Sequence, residues 1–241
     1  LSSLISDKAL RYDLTIPFAR YVIENQSDIL FPFKRYQIQK VWRADRPQRG
    51  RLREFTQCDV DIIGSNSLWL EFDLIKLYDE IFNELGVKNI VFKINNRKIL
   101  QGIFNCLKLK CSFEAFCVSI DKIEKIGFDK FLEFLSNNGC ENLKLVNNLF
   151  LDKKNNKEKM SFIAAHFRDK TLKAGLDELS TIIDRVEEIS LNSASLAFDV
   201  SLARGLDYYT GAIFEIRYDN LNIGSLGGGG RYDKLTQLFG S

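Results

Sequence analysis

Between Arg51 and Ile62 the sequence alternates in an inverted sense. The odd positions read Arg51, Arg53, Phe55, Gln57, Asp59 and Asp61, and the even ones Leu52, Glu54, Thr56, Cys58, Val60 and Ile62. Alternate residues of a strand share a face. One face is then mostly apolar or small, and the other carries two arginines, an aromatic ring, an amide and two carboxylates. Cations suit phosphate, an aromatic plane suits a nucleobase and carboxylates suit an amine, so the combination fits a nucleotide site. Alone, it also fits a half-exposed antiparallel strand with its polar face in water; Phe55 among the charges favours the site.

Two further segments carry residues of interest. In ARGLDYYTGAIFEI, Arg204 precedes Gly205, Tyr208 and Tyr209 follow an aspartate, and Thr210 with Gly211 suggests a turn before a strand. The plain alternative is a hairpin with a tyrosine pair in its core. In GSLGGGGRYDKL, the glycines at 227 to 230 let backbone approach a ligand closely and admit positive φ. The segment lacks the GxxxxGK[ST] pattern of a P-loop, and a glycine run is more often a flexible turn.

The single histidine, His166, excludes a two-histidine metal site, and its setting in AAHFRDK reads as an ordinary helix. Lys and Arg number 34 against 32 Asp and Glu in 241 residues, so no global basic footprint for nucleic acid exists. Phosphate chemistry would have to use a local arginine cluster. Five cysteines with no CxxC pair read as reduced thiols of a cytoplasmic protein, three of them in core-like segments. No apolar run approaches the roughly 20 residues of a membrane span.

The elements that must position these residues fall into three parts. Residues 1–96 read as a helix in TIPFARYVIENQ, with Ile16, Ala19 and Ile23 on one face, then two strands separated by ADRPQRG. A second helix over Ser67 to Leu85 has Leu68, Phe72, Ile75, Tyr78, Phe82 and Leu85 at helical spacing, Asn66 or Ser67 as cap and Gly86 as stop. A short strand, NIVFKIN, follows. Residues 97–192 are lysine-rich and helical in period, a helical insertion in which KKNNKEK is a solvated loop or helix end. Residues 193–241 return to strand character and end in a glycine run and a helix, RYDKLTQLFG.

ALRYDLTIPFARY, VWRADRPQRGRLREFTQCDVDIIG, LARGLDYYTGAIFEI and GGGGRYDKL, in this order, resemble the catalytic core of histidyl-tRNA synthetases, which are class II aminoacyl-tRNA synthetases. The resemblance covers nearly the whole chain. It implies an α+β fold, an antiparallel sheet flanked by helices with a helical insertion domain. It also implies the substrates ATP with Mg2+, histidine and the histidine tRNA, and a homodimer in the complete enzyme.

Position by position, Arg43 matches the arginine on the ATP α-phosphate, and Arg204 the arginine that sits opposite it. Asp45 matches an acid beside the adenine, Arg51 a residue reaching toward the terminal phosphates and Phe55 the ring stacked on the adenine. Asp13 and Thr15 match the pair holding the α-amino group of histidine. Gln57 and Asp61 match residues near the bound histidine, the acid toward its imidazole, and Tyr208 and Tyr209 line its pocket. No protein metal ligand is implied. The substrate carboxylate attacks phosphorus without a general base, so the arginines and magnesium carry the catalysis.

Three parts of the family pattern are missing from the sequence: the first motif, the third motif and the anticodon-binding domain. The expectation is therefore a catalytic-core fragment, weakly active or inactive alone. Two rival expectations are the non-catalytic, histidine-sensing regulatory subunit of ATP phosphoribosyltransferase and an RNA-binding module without chemistry.

Overall fold

The structure is a computed structural model that describes residues 8–48, 50–151, 154–204, 208–218 and 224–240. The chain forms two compact units. The first holds the described residues of Leu1–Leu70 and Lys234–Ser241, the second Glu71–Asp233. Residues 205–207 of the RGLDYY segment and the first lysine of KKNNKEK lie outside the described residues.

In the first unit α1 (Thr15–Glu24) precedes a two-stranded antiparallel ribbon, β1 (Phe33–Trp42) and β2 (Glu54–Ile63), and packs against a 3-10 helix, Leu235–Phe239. Its core is Leu14, Phe18, Ala19, Val22, Val41 and Leu235. The helix thus buries Phe18 and Val22 beside Ala19 rather than the expected Ile16 and Ile23, which are only half-buried. Phe18 carries the largest apolar area on that side, and its ring packs 5.8 Å from Phe33. The helix expected from Arg231 onward is only this shorter 3-10 turn.

Strand β2 begins at Glu54 rather than Arg51. Gln48 and Arg51 exchange backbone hydrogen bonds of 3.2 and 2.9 Å around Gly50, whose φ is +77°. This tight turn takes Arg51 off the strand and out of its face. The ribbon's polarity is inverted as the alternation implied. On its even face Tyr36 and Ile38 are 76% and 61% exposed, while Asp61 on the odd face is 6% exposed.

In the second unit α2 (Trp69–Glu84) leads to β3 (Ile90–Asn96). The Ser67 hydroxyl accepts the Trp69 N–H at 3.3 Å before α2, and Gly86 with φ +70° follows it. Seven helices come next: α3 (Arg97–Leu107), α4 (Phe113–Asp121), α5 (Ile123–Ile126), α6 (Phe128–Asn137), α7 (Leu143–Leu151), α8 (Asn156–His166) and α9 (Lys170–Ile189). Then β4 (Ala194–Phe198), β5 (Ala212–Tyr218) and β6 (Ser225–Gly230) complete a sheet of order β4-β3-β5-β6. The ladder β3–β4 is parallel and the other two are antiparallel. A long helical crossover between β3 and β4 permits the parallel pairing. The chain is α+β, with a mixed sheet and flanking helices.

Close packing fixes α3 on α9. A Cβ on Gly102 would lie 2.3 Å from the Leu172 side chain, and one on Gly175 would lie 2.9 Å from Ile99 backbone. Asp79 of α2, 2% exposed, accepts the N–H groups of Asn192 and Ser193 at 2.8 and 2.9 Å, so it anchors the entry to β4. Burial pushes this carboxyl up, but those N–H groups and the Ser193 hydroxyl outweigh it and hold it below the usual range. His166 ends α8, exposed and stacked on Phe162 at 4.2 Å. Among the described residues no helix is long and apolar enough to cross a membrane.

Candidate active site

Antiparallel register decides which side chains meet across the ribbon. Arg35 lies opposite Asp61, Gln37 opposite Asp59, Gln39 opposite Gln57 and Val41 opposite Phe55. Opposed residues share a face, so the odd positions of both strands make one surface, polar from Arg35 to Gln39 and from Gln57 to Asp61 and apolar at its ends. At one end the Arg35 guanidinium is bonded to Asp61 at 2.7 Å, to the Leu14 carbonyl at 2.8 Å and to Gln37 at 2.7 Å. It also lies 4.3 Å over the Phe18 ring. The Asp61 carboxylate is therefore charge-balanced before any ligand arrives.

At the other end is Arg43, just past β1. Its guanidinium stands 4.7 Å from the centre of the Tyr12 ring and 5.0 Å from that of Phe55. Its Nε donates to the Tyr12 carbonyl at 3.2 Å and its Nη2 to Gln57 Oε1 at 3.0 Å. A planar cation held by two rings loses rotamer freedom. The Arg43 N–H donates to the Arg53 carbonyl at 2.9 Å and so closes the loop between the strands. Within that loop Asp45 is half-buried and Arg51 exposed, and the Asp45 carbonyl accepts from Arg53 Nε at 3.4 Å.

Between these ends lies an acidic patch. Gln57 donates to Asp59 at 2.6 Å, and the Thr15 hydroxyl donates to the other oxygen of Asp59 at 3.3 Å. Asp13 accepts the Ile16 N–H at 3.3 Å at the start of α1. Burial pushes the Asp13 carboxyl above its usual value and the like charge of Asp59 adds to this. The Ile16 N–H, Arg43 and Arg35 pull the other way without prevailing. Two carboxylates and a hydroxyl that crowd one another in this way suit a cation, which would relieve the repulsion between them.

The structure brings Asp13, Thr15, Arg43, Phe55, Gln57 and Asp61 into this surface. It also adds Tyr12 and Arg35, to which the sequence assigns no role, and Asp59, which the family match leaves without one. Asp59 stands on the right face by parity. Arg35, Gln37 and Gln39 alternate too, but only the register shows that their face adjoins the same site.

The second unit holds Arg204, Tyr208 and Tyr209. Arg204 has φ +44°, and its Nη1 donates to the Phe214 carbonyl at 3.0 Å. The glycine run is not a turn: residues 225–230 are strand β6, with Phe214 opposite Gly229 and Glu215 opposite Gly228. Its purpose is room. A Cβ on Gly228 would lie 1.6 Å from Arg204 Nη1, and one on Gly230 would lie 2.7 Å from the Tyr209 ring. Positions 228 and 230 share a face, so the guanidinium and the ring occupy the space of two absent side chains. Tyr209 is buried and its ring centre is 4.7 Å from that of half-buried Tyr208. Among the described residues near the run, the positive φ is at Gly224, before the strand.

A family model described as histidyl-tRNA synthetase matches residues 7–241. The chain belongs to the histidyl-tRNA synthetase family. Among curated members, the histidine–tRNA ligase of Christiangramia forsetii is 50% identical over 244 residues, covering 100% of this chain and 54% of that protein. The corresponding ligase of Flavobacterium johnsoniae is 49% identical over 98% of this chain and 50% of its own length. The chain therefore spans about half the length of the curated relatives it matches.

Among solved structures, the histidyl-tRNA synthetase of Nostoc sp. PCC 7120 superposes with a TM-score of 0.81 at 29% identity, over 96% of this chain and 55% of that one. A Bacillus halodurans protein titled as an ATP phosphoribosyltransferase regulatory subunit/histidyl-tRNA synthetase shares the fold, with a TM-score of 0.81 at 21% identity. The four segments that carry the resemblance all fall within the span that the histidyl-tRNA synthetase family model matches.

Proposed function

We propose that this chain carries the adenylation chemistry of a histidine–tRNA ligase. A carboxylate oxygen of histidine bonds to the α-phosphorus of ATP, the bond to the bridging oxygen breaks and pyrophosphate leaves. The histidyl group then passes to the histidine tRNA with release of AMP. The observation that carries the proposal is Arg43, clamped between Tyr12 and Phe55 and bonded to Gln57 on the polar face of the ribbon. A cation fixed in this way is preorganised for charge that builds up on the α-phosphate.

In this assignment Phe55 offers its plane to the adenine, and Asp45 and Arg51 serve the adenine and the terminal phosphates from the loop. Asp13 and Thr15, joined by Asp59, hold the ammonium. Gln57 and Asp61 face the imidazole side, where the Arg35 partner lets Asp61 accept a hydrogen bond without drawing a proton onto the ring. By the family match Tyr208 and Tyr209 serve the histidine pocket, and Arg204 serves as the second cation. Magnesium comes as part of the ATP substrate, ligated by phosphate oxygens and water. The protein that carries this chain is proposed to act as a homodimer in the cytoplasm.

The test is histidine-dependent ATP–pyrophosphate exchange by the full-length protein that carries this sequence. Exchange with histidine and not with other amino acids is expected. Histidine binding without exchange would instead assign the chain to the regulatory-subunit branch of this fold, and neither would leave an RNA-binding module.

A further inference from the structure

Arg97, the first residue of α3, is a buried cation that feels the charge of Glu114 but makes no ion pair among the described residues. It is 7% exposed, and among the described residues no carboxylate lies within ion-pair distance of it. Its Nε has no hydrogen-bond partner, and the guanidinium rests 4.8 Å over the Phe113 ring. Burying a charge in this way is costly, and an apolar side chain would fill the same space more cheaply. Packing alone is therefore a poor account of an arginine here.

Its hydrogen bonds go to one segment of chain. Its Nη1 donates to the carbonyl of Ala203 at 3.4 Å, and its backbone N–H donates to the carbonyl of Gly211 at 2.9 Å. These two carbonyls bracket Arg204, Tyr208 and Tyr209. Two residues earlier, Asn95, fully buried at the end of β3, donates through Nδ2 to the carbonyls of Val200 and Leu202 at 3.3 and 2.9 Å. The junction of β3 and α3 thus grips the backbone at 200, 202, 203 and 211. The residue just after this grip, Arg204, has a left-handed φ of +44°. A non-glycine residue stays in that region only when its surroundings hold it there.

We propose that Arg97 is a positioning residue for Arg204: its guanidinium, by holding the Ala203 carbonyl beside the main-chain bond to Gly211 that any residue here would keep, sets the left-handed φ of Arg204 that lays its guanidinium on Gly228. The proposal rests on the catalytic reading of Arg204 given above. Misplacing a catalytic group by about 1 Å costs on the order of 10²-fold, so Arg97→Met lowers the kcat of histidine-dependent pyrophosphate exchange by about 10- to 100-fold. The KM values for histidine and ATP stay within about threefold, because Arg97 does not touch substrate. Arg97→Lys keeps one donor toward Ala203 and falls between the two.

The decisive comparison is the double variant Arg97→Met/Arg204→Ala in the full-length protein. If Arg97 acts through Arg204, the double variant is no slower than Arg204→Ala alone. A double variant slower by the whole Arg97→Met factor overturns the proposal, as does a wild-type kcat in Arg97→Met while Arg204→Ala is impaired. In both cases the reading of Arg204 survives. Wild-type exchange by Arg204→Ala overturns that reading, and this proposal with it. Should Arg97→Met fail to fold, Phe113→Leu removes the ring beneath the guanidinium and leaves every donor in place. It is expected to lose about threefold in kcat at unchanged KM, and an unchanged kcat overturns the proposal.

Discussion

The ribbon of the first unit and the glycine strand of the second use side chains in opposite ways. On β1 and β2 the polar groups project from the strands and are tied to one another and to Arg43 just past β1: Arg35 to Asp61, Gln57 to Asp59, Arg43 to Gln57. On β6 the strand contributes emptiness, and Arg204 and Tyr209 come from elsewhere to lie on it. A strand can thus hold a guanidinium either through its own side chains or by making room for it. The first kind of region breaks when a charge is removed, the second when an atom is added.

The largest expected effect tests the first kind. Arg43→Ala should lower pyrophosphate exchange by about 10² to 10³, the loss typical of a removed transition-state donor. A near wild-type rate would show that the clamped guanidinium is structural. Next comes the second kind. Gly228→Ala places a methyl where Arg204 Nη1 lies and should lower kcat by about 10-fold or more. A Cβ on Gly229 meets nothing within 4 Å among the described residues, so Gly229→Ala should stay within about twofold. Equal losses in the two variants would mean that β6 tolerates no side chain for reasons unrelated to Arg204.

A subtler break is Asp13→Asn. The amide oxygen still accepts the Ile16 N–H, but the charge for the ammonium is gone, so KM for histidine should rise by roughly tenfold. The folded-state pKa of Asp13 is raised, so its contribution to stability is present below the ordinary value of 3.8 and is lost as pH rises through the folded value. At neutral pH the Asn variant should therefore melt no lower than wild type. Histidine binding by wild type should strengthen with rising pH as Asp13 ionises, a dependence the variant lacks. The smallest effect belongs to the exposed even face of the ribbon, where Cys58→Ser should leave both exchange and melting unchanged. Loss of activity there would mean that the apolar face also serves the chemistry.

Parity makes half of this site legible. Phe55, Gln57, Asp59 and Asp61 fall on one face by sequence alone, because a two-residue period fixes direction. Their partners do not, since pairing Arg35 with Asp61 rather than with Asp59 depends on register, and register depends on the turn that removes Arg51 from the strand. Helix α2 is legible from its apolar spacing. Its two buried acids, Glu71 and Asp79, are not, because an acid on a helix reads as solvated until its partner is known. Here Glu71 meets Arg231 at 2.6 Å and Asp79 meets the backbone before β4. The glycine strand is the hardest to read: glycine has no strand propensity and no face, so four in a row look like a turn.

Glycine also surrenders more backbone freedom on ordering than any other residue. Strand β6 therefore has little reason of its own to be a strand, and its order is lent to it by β5 and by the two side chains that lie across it. Its amides should be among the first of the sheet to exchange with deuterated solvent, ahead of those in β3. Addition of histidine and ATP should slow that exchange more there than anywhere else in the sheet.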